Sequence, residues 1–422
     1  MDMTPDDKLQ LVTEGKARFR AFLLPVTGDE HAGEDTPLDK WEQRGVPTRS
    51  MPVFYNPAMV VNRNISVLGV HAWKDNTRGS TKICDAMCGA GIRGIRYLLE
   101  SGIDDAHVDF VDLNPAAIRS CEENIALNQI PPTAWKTHVQ DANAFLYGRA
   151  VHEEDRYAVI DLDPFGNPMP YVDGALKALR RERGLLHLNA TDLAVITGVH
   201  RLATLRKYQV TPMRDVPHHA EISARVVIGA IFKRAMAQDI TIKPLFTLAR
   251  HHFIKIIAER VSSIDQANVD RQNALGYMMQ CRACKDHHVV RVDELRASSE
   301  CPACKSTHVD HAGPLWIGEL QDAGFCKAML ASFKDFRYMR GKQETAKILG
   351  LAAGAAGFPA GSHDVHEIAA SLTLSPPSME IIVDDLHRAG FLAARDVINP
   401  TAIKTTARRV DVGNILRARH HA

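Results

Sequence analysis

No stretch of about 18 uninterrupted apolar residues, the length a membrane-spanning helix requires, occurs in the 422-residue chain. The start Met1-Asp2-Met3-Thr4 also lacks the basic stretch and apolar core of a secretory signal. These absences exclude a membrane span and point to a cytosolic enzyme. A disulfide framework is missing too. Of eight cysteines, four are concentrated in two Cys-x-x-Cys pairs, and Cys84, Cys88, Cys121 and Cys326 are scattered. Reduced thiols and one metal site fit that distribution. Net charge is nearly absent as well, at +1, but it is unevenly placed. Residues 1–173 hold 17 Lys/Arg against 26 Asp/Glu, residues 174–260 hold 15 against 6, and residues 261–422 hold 19 against 18. A basic middle is the footprint of a phosphate-bearing partner, since lysine and arginine release the counterions condensed on phosphates; solvated helix faces give the same composition.

What is present suffices for two or three globular domains, with 45% hydrophobic and 24% charged residues. Residues 28–50, rich in Gly, Asp, Glu, Pro and Thr, read as an exposed loop, followed by an apolar segment around Val60–Val70. From there strands and helices alternate. Lys82–Asp85 reads as a strand, Gly89, Gly91 and Gly94 as a tight turn, and Ile92–Leu99 as a helix. Val108–Val111 is the next strand, and Asn114 with Pro115 forms a good N-cap and first turn for a helix to about Asn128. Further strands are expected near Lys136–Val139, Ala158–Leu162 and Leu185–Asn189. The alternation predicts an α/β fold with a Rossmann-like, doubly wound, mostly parallel sheet. A helix is expected around Ile222–Ile231, then strands at Lys243–Leu248 and His251–Ile257. The expected division is a catalytic domain over 1–260 and a smaller α+β domain over 261–422. The latter holds a zinc ribbon at 276–311 and a winged-helix-like module at about 335–410.

Gly89-Ala90-Gly91-Ile92-Arg93-Gly94 is G-x-G-x-x-G between a predicted strand and helix, and Asp112 follows at the tip of the next strand. Glycines let backbone amides approach a ligand closely, and a carboxylate at that tip can accept from two ribose hydroxyls. A nicotinamide dinucleotide and S-adenosylmethionine both satisfy this geometry. Later residues favour S-adenosylmethionine. Asp141-Ala142, after the third strand, suits the adenine amine, and Asp85 joins Gly89, Gly91, Arg93 and Asp112 in the expected cofactor set. Asp163-Pro164-Phe165-Gly166 then stands at the tip of the fourth strand. An exocyclic amine of a base is a poor nucleophile because its lone pair is delocalised into the ring. Asp163 and the Pro164 carbonyl can accept its two hydrogens and draw the nitrogen towards tetrahedral geometry. Proline fixes its φ and so holds that carbonyl. Phe165 can stack on a base withdrawn from its helix. This chemistry does not choose among guanine, adenine and cytosine.

The chain resembles the tRNA guanine-26 N2-dimethyltransferase family. The resemblance is carried by Glu14-Gly15-Lys16, Val53-Phe54-Tyr55-Asn56-Pro57, Asn62-Arg63, Gly91-Ile92-Arg93-Gly94-Ile95-Arg96, Asp163-Pro164-Phe165-Gly166, Gly313-Pro314-Leu315-Trp316-Gly318 and Pro400-Thr401-Ala402-Ile403-Lys404-Thr405. It implies that Arg63, Arg93, Asp112, Asp141 and Ala142 contact S-adenosylmethionine. It makes Asp163 the catalytic carboxylate, lets Phe54 and Phe165 enclose the guanine, and makes tRNA the partner. The chain departs from the family pattern at Asn64, usually Asp, and at Ala220, usually His. An amino-methyltransferase acting on adenine or cytosine, and a non-catalytic nucleic-acid binder, remain the alternatives from the residues alone.

Cys281-x-x-Cys284 and Cys301-x-x-Cys304 form C-x2-C-x16-C-x2-C, the spacing of a zinc ribbon. Structural Zn2+ replaces the core that so short a segment cannot build. Four cysteines complete the shell, so His287, His288, His308 and His311 are expected at the surface.

Overall fold

The computed structural model describes residues 9–22, 53, 55–74, 81–250, 253–297 and 300–420. The expected loop at 28–50 and Phe54 lie outside the described residues. The chain forms two compact units from discontinuous stretches. The first comprises 1–163, 174–188 and 328–347, the second 164–173, 189–327 and 348–422. No helix among the described residues is long and apolar enough to cross a membrane.

The first unit begins with an antiparallel hairpin, β1 (Leu9–Glu14) and β2 (Ala17–Phe22). Its sheet contains β3 (Thr81–Ala86), β4 (Ala106–Asp112), β5 (Trp135–Val139), β6 (Val159–Leu162) and β7 (Glu182–Ala190). These pair in parallel in the order β5-β4-β3-β6-β7. The order reverses at β3, which pairs with both β4 and β6, and ligands bind at the carboxyl ends of strands around such a switch point. Four helices alternate with the strands: α1 (Val60–Trp73), α2 (Ile92–Glu100), α3 (Pro115–Leu127) and α4 (Ala142–Arg149). Asn114 caps α3 through its side chain, with Pro115 in the first turn, and Asp141 caps α4. A Cβ on Gly94 would lie 2.2 Å from the Phe110 ring, so the glycine lets α2 press against β4. Asn64, the first departure from the family pattern, is buried in α1 and donates to the Arg340 carbonyl at 2.7 Å.

The second unit holds a long buried helix, His219–Met236, and an antiparallel pair, β8 (Thr241–Arg250) and β9 (Phe253–Val261). Next come β10 (Leu275–Cys281), β11 (His287–Arg291) and β12 (Val309–Trp316), a three-stranded antiparallel sheet with β10 in the centre. The carboxy-terminal part packs helices Val365–Ser371, Met379–Arg388 and Arg409–His420 with β13 (His363–Asp364), β14 (Ala393–Arg395) and β15 (Ala402–Thr405). Val365, Ile368, Ile382, Leu386, Ile403 and Val412 belong to its core, which gives the winged-helix-like end its physical basis.

His287, expected at the surface, is packed between two other rings. Its centroid lies 4.6 Å from that of His218 and 4.7 Å from that of His363. Burial pushes the pKa of His218 and of His363 down to about 4, and that of His287 well below its usual range. Glu221 opposes the shift at His218, Asp286 opposes it at His363, and Lys404 reinforces both. A folded pKa below the unfolded value of roughly 6.5 means that the unfolded chain binds more protons. The stabilisation is therefore complete above pH ~6.5 and disappears as pH falls towards 4. His218 and His363 should each contribute a loss of about 2 kcal/mol on going from pH 7.5 to pH 5. Calorimetry across that interval should show the second unit weakening, and His218→Gln should flatten the dependence. An unchanged slope in the variant would refute the assignment.

Candidate active site

The loop after β3 is built for close backbone approach. Met87, Gly89 and Gly91 all adopt positive φ, at 64°, 55° and 80°. For Met87 this is a strained conformation, of the kind that clusters at ligand sites. Gly91 precedes α2, and a Cβ there would lie 2.4 Å from the Cys121 sulfur. Two carboxylates brace the loop. Asp112 Oδ2 accepts from the Gly89 amide and Asp85 Oδ2 from the Gly94 amide, both at 2.9 Å. Asp85 is 2% exposed, and burial, followed by repulsion from Asp161, pushes its pKa up to about 8. Asp112 remains partly exposed at the end of β4, Asp141 is exposed after β5, and Ala142 is buried. Leu113, between Asp112 and the α3 cap, is 69% exposed.

Arg93 dominates the switch point. Its Nε and Nη2 donate to Asp163 Oδ2 at 3.0 and 2.7 Å, Nη1 donates to Ser66 at 3.0 Å, and Nη2 reaches Asn62 at 2.9 Å. Asp161 lies 3.7 Å from Nη1 and accepts from Tyr97 through a short hydrogen bond. Burial opposes the charge, yet the Asp163 and Asp161 carboxylates raise the guanidinium pKa above its ordinary value. Asp163 itself keeps a side chain 28% exposed, and its Oδ1 has no hydrogen bond among the described residues. The result is a fixed carboxylate with one oxygen available.

Arg63 lies in a different network. Its Nε and Nη2 donate to both oxygens of Glu14, at 2.7 and 2.6 Å, while Arg96 binds Glu14 and Glu100. Burial opposes ionisation of Glu14, but Arg63 and Arg96 hold its pKa down to about 2. Pro164 and Phe165 belong to the second unit. Phe165 is 55% exposed, and Gly166, at φ 86°, exchanges hydrogen bonds with Thr191.

Glu14, Asn62, Ser66, Asp161 and Leu113 had no assigned role in the sequence reading. Asp161 could have been noticed as a second carboxylate two residues before Asp163; it lies near the end of β6, and both carboxylates reach Arg93.

The four cysteine sulfurs lie within 4.8 Å of one another, with Cys281–Cys304 at 3.6 Å and Cys284–Cys301 at 3.7 Å. A tetrahedral Zn–S4 centre with bonds of about 2.3 Å requires sulfurs roughly 3.8 Å apart, so the residues fit the ion. Both turns share one backbone pattern. Lys285 and Lys305 adopt φ of 61° and 62° and donate to the carbonyls of Cys281 and Cys301. Burial opposes ionisation of Cys281, but the Cys284 and Ala283 amides hold its pKa down to about 7.

Residues 35–417 match the model of the family described as N2,N2-dimethylguanosine tRNA methyltransferase. The chain belongs to this family. Among curated members, the tRNA (guanine(26)-N(2))-dimethyltransferase of Methanothermobacter thermautotrophicus is 32% identical over 366 residues, covering 86% of this chain and 92% of the relative. The protein of the same name from Methanopyrus kandleri is 31% identical, covering 88% and 91%. A solved structure of Trm1 from Pyrococcus horikoshii in complex with S-adenosyl-L-methionine matches with a TM-score of 0.78 and 25% identity, covering 97% of this chain and all of that one. The N2,N2-dimethylguanosine tRNA methyltransferase family thus accounts for the fold as well as the sequence.

Proposed function

We propose that the chain transfers one or two methyl groups from S-adenosylmethionine to the exocyclic N2 of guanine-26 in tRNA, in the cytoplasm. The observation that carries this reading is the clamped carboxylate of Asp163, with Oδ2 held by Arg93 and Oδ1 available. When bound, S-adenosylmethionine supplies an electrophilic methyl group. Asp112 and Asp141 suit its ribose and adenine amine, and the exposed Leu113 offers an apolar wall beside them. Asp85 serves the pocket by bracing the glycine loop at the Gly94 amide, Gly89 and Gly91 give the loop its tight turn, and Arg93 holds Asp163 in place. Arg63 supports the same pocket through its pairing with Glu14, and Ala142 leaves room beside Asp141.

Asp163 Oδ1 accepts one N2 hydrogen and the Pro164 carbonyl the other, which localises the nitrogen lone pair. Oδ1 would receive the proton that the nitrogen gives up on taking the methyl group, the electron pair of the broken methyl–sulfur bond staying on the cofactor's sulfur. Arg93 holds the carboxylate in orientation before that transfer. Phe165, exposed at the corner, stacks on the extruded guanine.

The test is incubation with labelled S-adenosylmethionine and unmodified tRNA transcripts carrying guanine or adenine at position 26. Label should appear as N2-methylated guanosine in the first transcript only. Methyladenosine or methylcytidine, or no turnover at all, would overturn the proposal.

A further inference from the structure

Within the second unit, a groove of about 970 Å³ runs between the segment 211–217 and the cysteine ribbon. Its shape is fixed by built contacts. Thr211 and Gly313 exchange backbone hydrogen bonds at 2.8 and 3.0 Å, tying the segment to β12. A Cβ on Gly198 would lie 2.5 Å from Pro212, so the turn leading into the segment is closely packed.

The charges lining the groove divide into two groups. Asp310 is neutralised by a two-pronged contact with Arg282, at 2.7 and 2.5 Å, and Glu367 by Arg409, at 2.9 Å. Arg201, Arg214 and Lys285 also line it, are exposed, and have no ion-pair partner among the described residues. Asp215 is then the remaining acidic group facing three uncompensated cations. The positive φ of Lys285 belongs to the first cysteine turn, so the metal-binding fold places that side chain on the groove wall. His311 adds a ring to the same wall. Exposed cations along a groove, with no buried charge to select one small anion, suit a phosphate chain, whose contacts position a nucleic acid without reading its bases.

We infer that this groove holds the tRNA sugar-phosphate backbone, with Arg201, Arg214 and Lys285 as phosphate contacts, so that the ribbon is part of the substrate-binding surface. The inference rests on the tRNA reading above and adds a place for the substrate to it.

The experiment uses the full chain with zinc bound and compares Arg214→Glu/Lys285→Glu with the parent. Binding of unmodified tRNA is measured at several salt concentrations, beside kinetics with saturating S-adenosylmethionine. The double variant should bind tRNA at least tenfold more weakly near physiological salt, and its salt slope should be smaller by about 2. KM for tRNA should rise while kcat changes less than twofold. Lys305→Glu alters the equivalent position of the second cysteine turn, which does not line the groove. It should leave affinity and slope within twofold of the parent. Unchanged tRNA affinity in the double variant overturns the groove, as does an equal loss from Lys305→Glu, which would reveal a general charge effect. A parent that binds tRNA through these residues but does not methylate guanine-26 would uphold the groove and remove the functional reading instead.

Discussion

Asp163→Asn is expected to lower kcat about a thousandfold, equivalent to ~4 kcal/mol of transition-state stabilisation, with little change in S-adenosylmethionine or tRNA binding. Asparagine preserves the shape of the side chain but not its two acceptors. Its amide nitrogen must face either the Arg93 guanidinium or the substrate amine, and both are donors. It also cannot receive the proton given up by N2. Alanine would be a poorer test, because it removes an acceptor from a guanidinium only 6% exposed and so mixes a folding defect with the chemical one. Single-turnover rates with both substrates saturating provide the measurement. Activity within tenfold of the parent would remove Asp163 from the chemistry.

Loss of the metal should have the larger effect, on stability. Cys301 is fully buried, and its sulfur sits 3.7 Å from that of Cys284. The three short strands offer few apolar side chains of their own, chiefly Met278, Met279, Val290, Ala312 and Leu315. Structural zinc in such modules contributes on the order of 10 kcal/mol to folding at neutral pH. Chelation, or Cys301→Ser, should lower the melting temperature by roughly 10 °C or more and open the ribbon to proteolysis near Arg282 and Lys305. Metal analysis of the parent should find one zinc per chain. A zinc-free parent whose melting does not respond to chelator would contradict the ribbon assignment.

Local chemistry made much of the first unit legible. The strands β3, β4, β6 and β7 each contain a short apolar-rich run, and the Asn114-Pro115 cap lies where its residue types predict. The segment around Val60–Val70 gave no helical signature because α1 is buried on nearly every side, leaving no polar face to mark a period. Long-range polar partners were also invisible. Nothing near Arg63 announces Glu14, 49 residues away, and nothing near His287 announces His218 or His363. Such contacts are set by tertiary packing rather than by periodicity. The proposed corner at Asp163-Pro164 is the opposite case: its two acceptors are adjacent in sequence, and only the Arg93 clamp on Asp163 required the fold.

The Glu14, Arg63, Arg96 and Glu100 network carries a consequence for descent. Two guanidiniums and two carboxylates balance within a space that water hardly reaches, with each side chain at most 7% exposed. Neutralising one of them leaves the buried set with one unbalanced charge, at a cost of about 3–5 kcal/mol. Lineages can therefore cross between alternative sets at these four positions only by paired exchanges. Residues scattered from the first strand to α2 are inherited, in effect, as a single character.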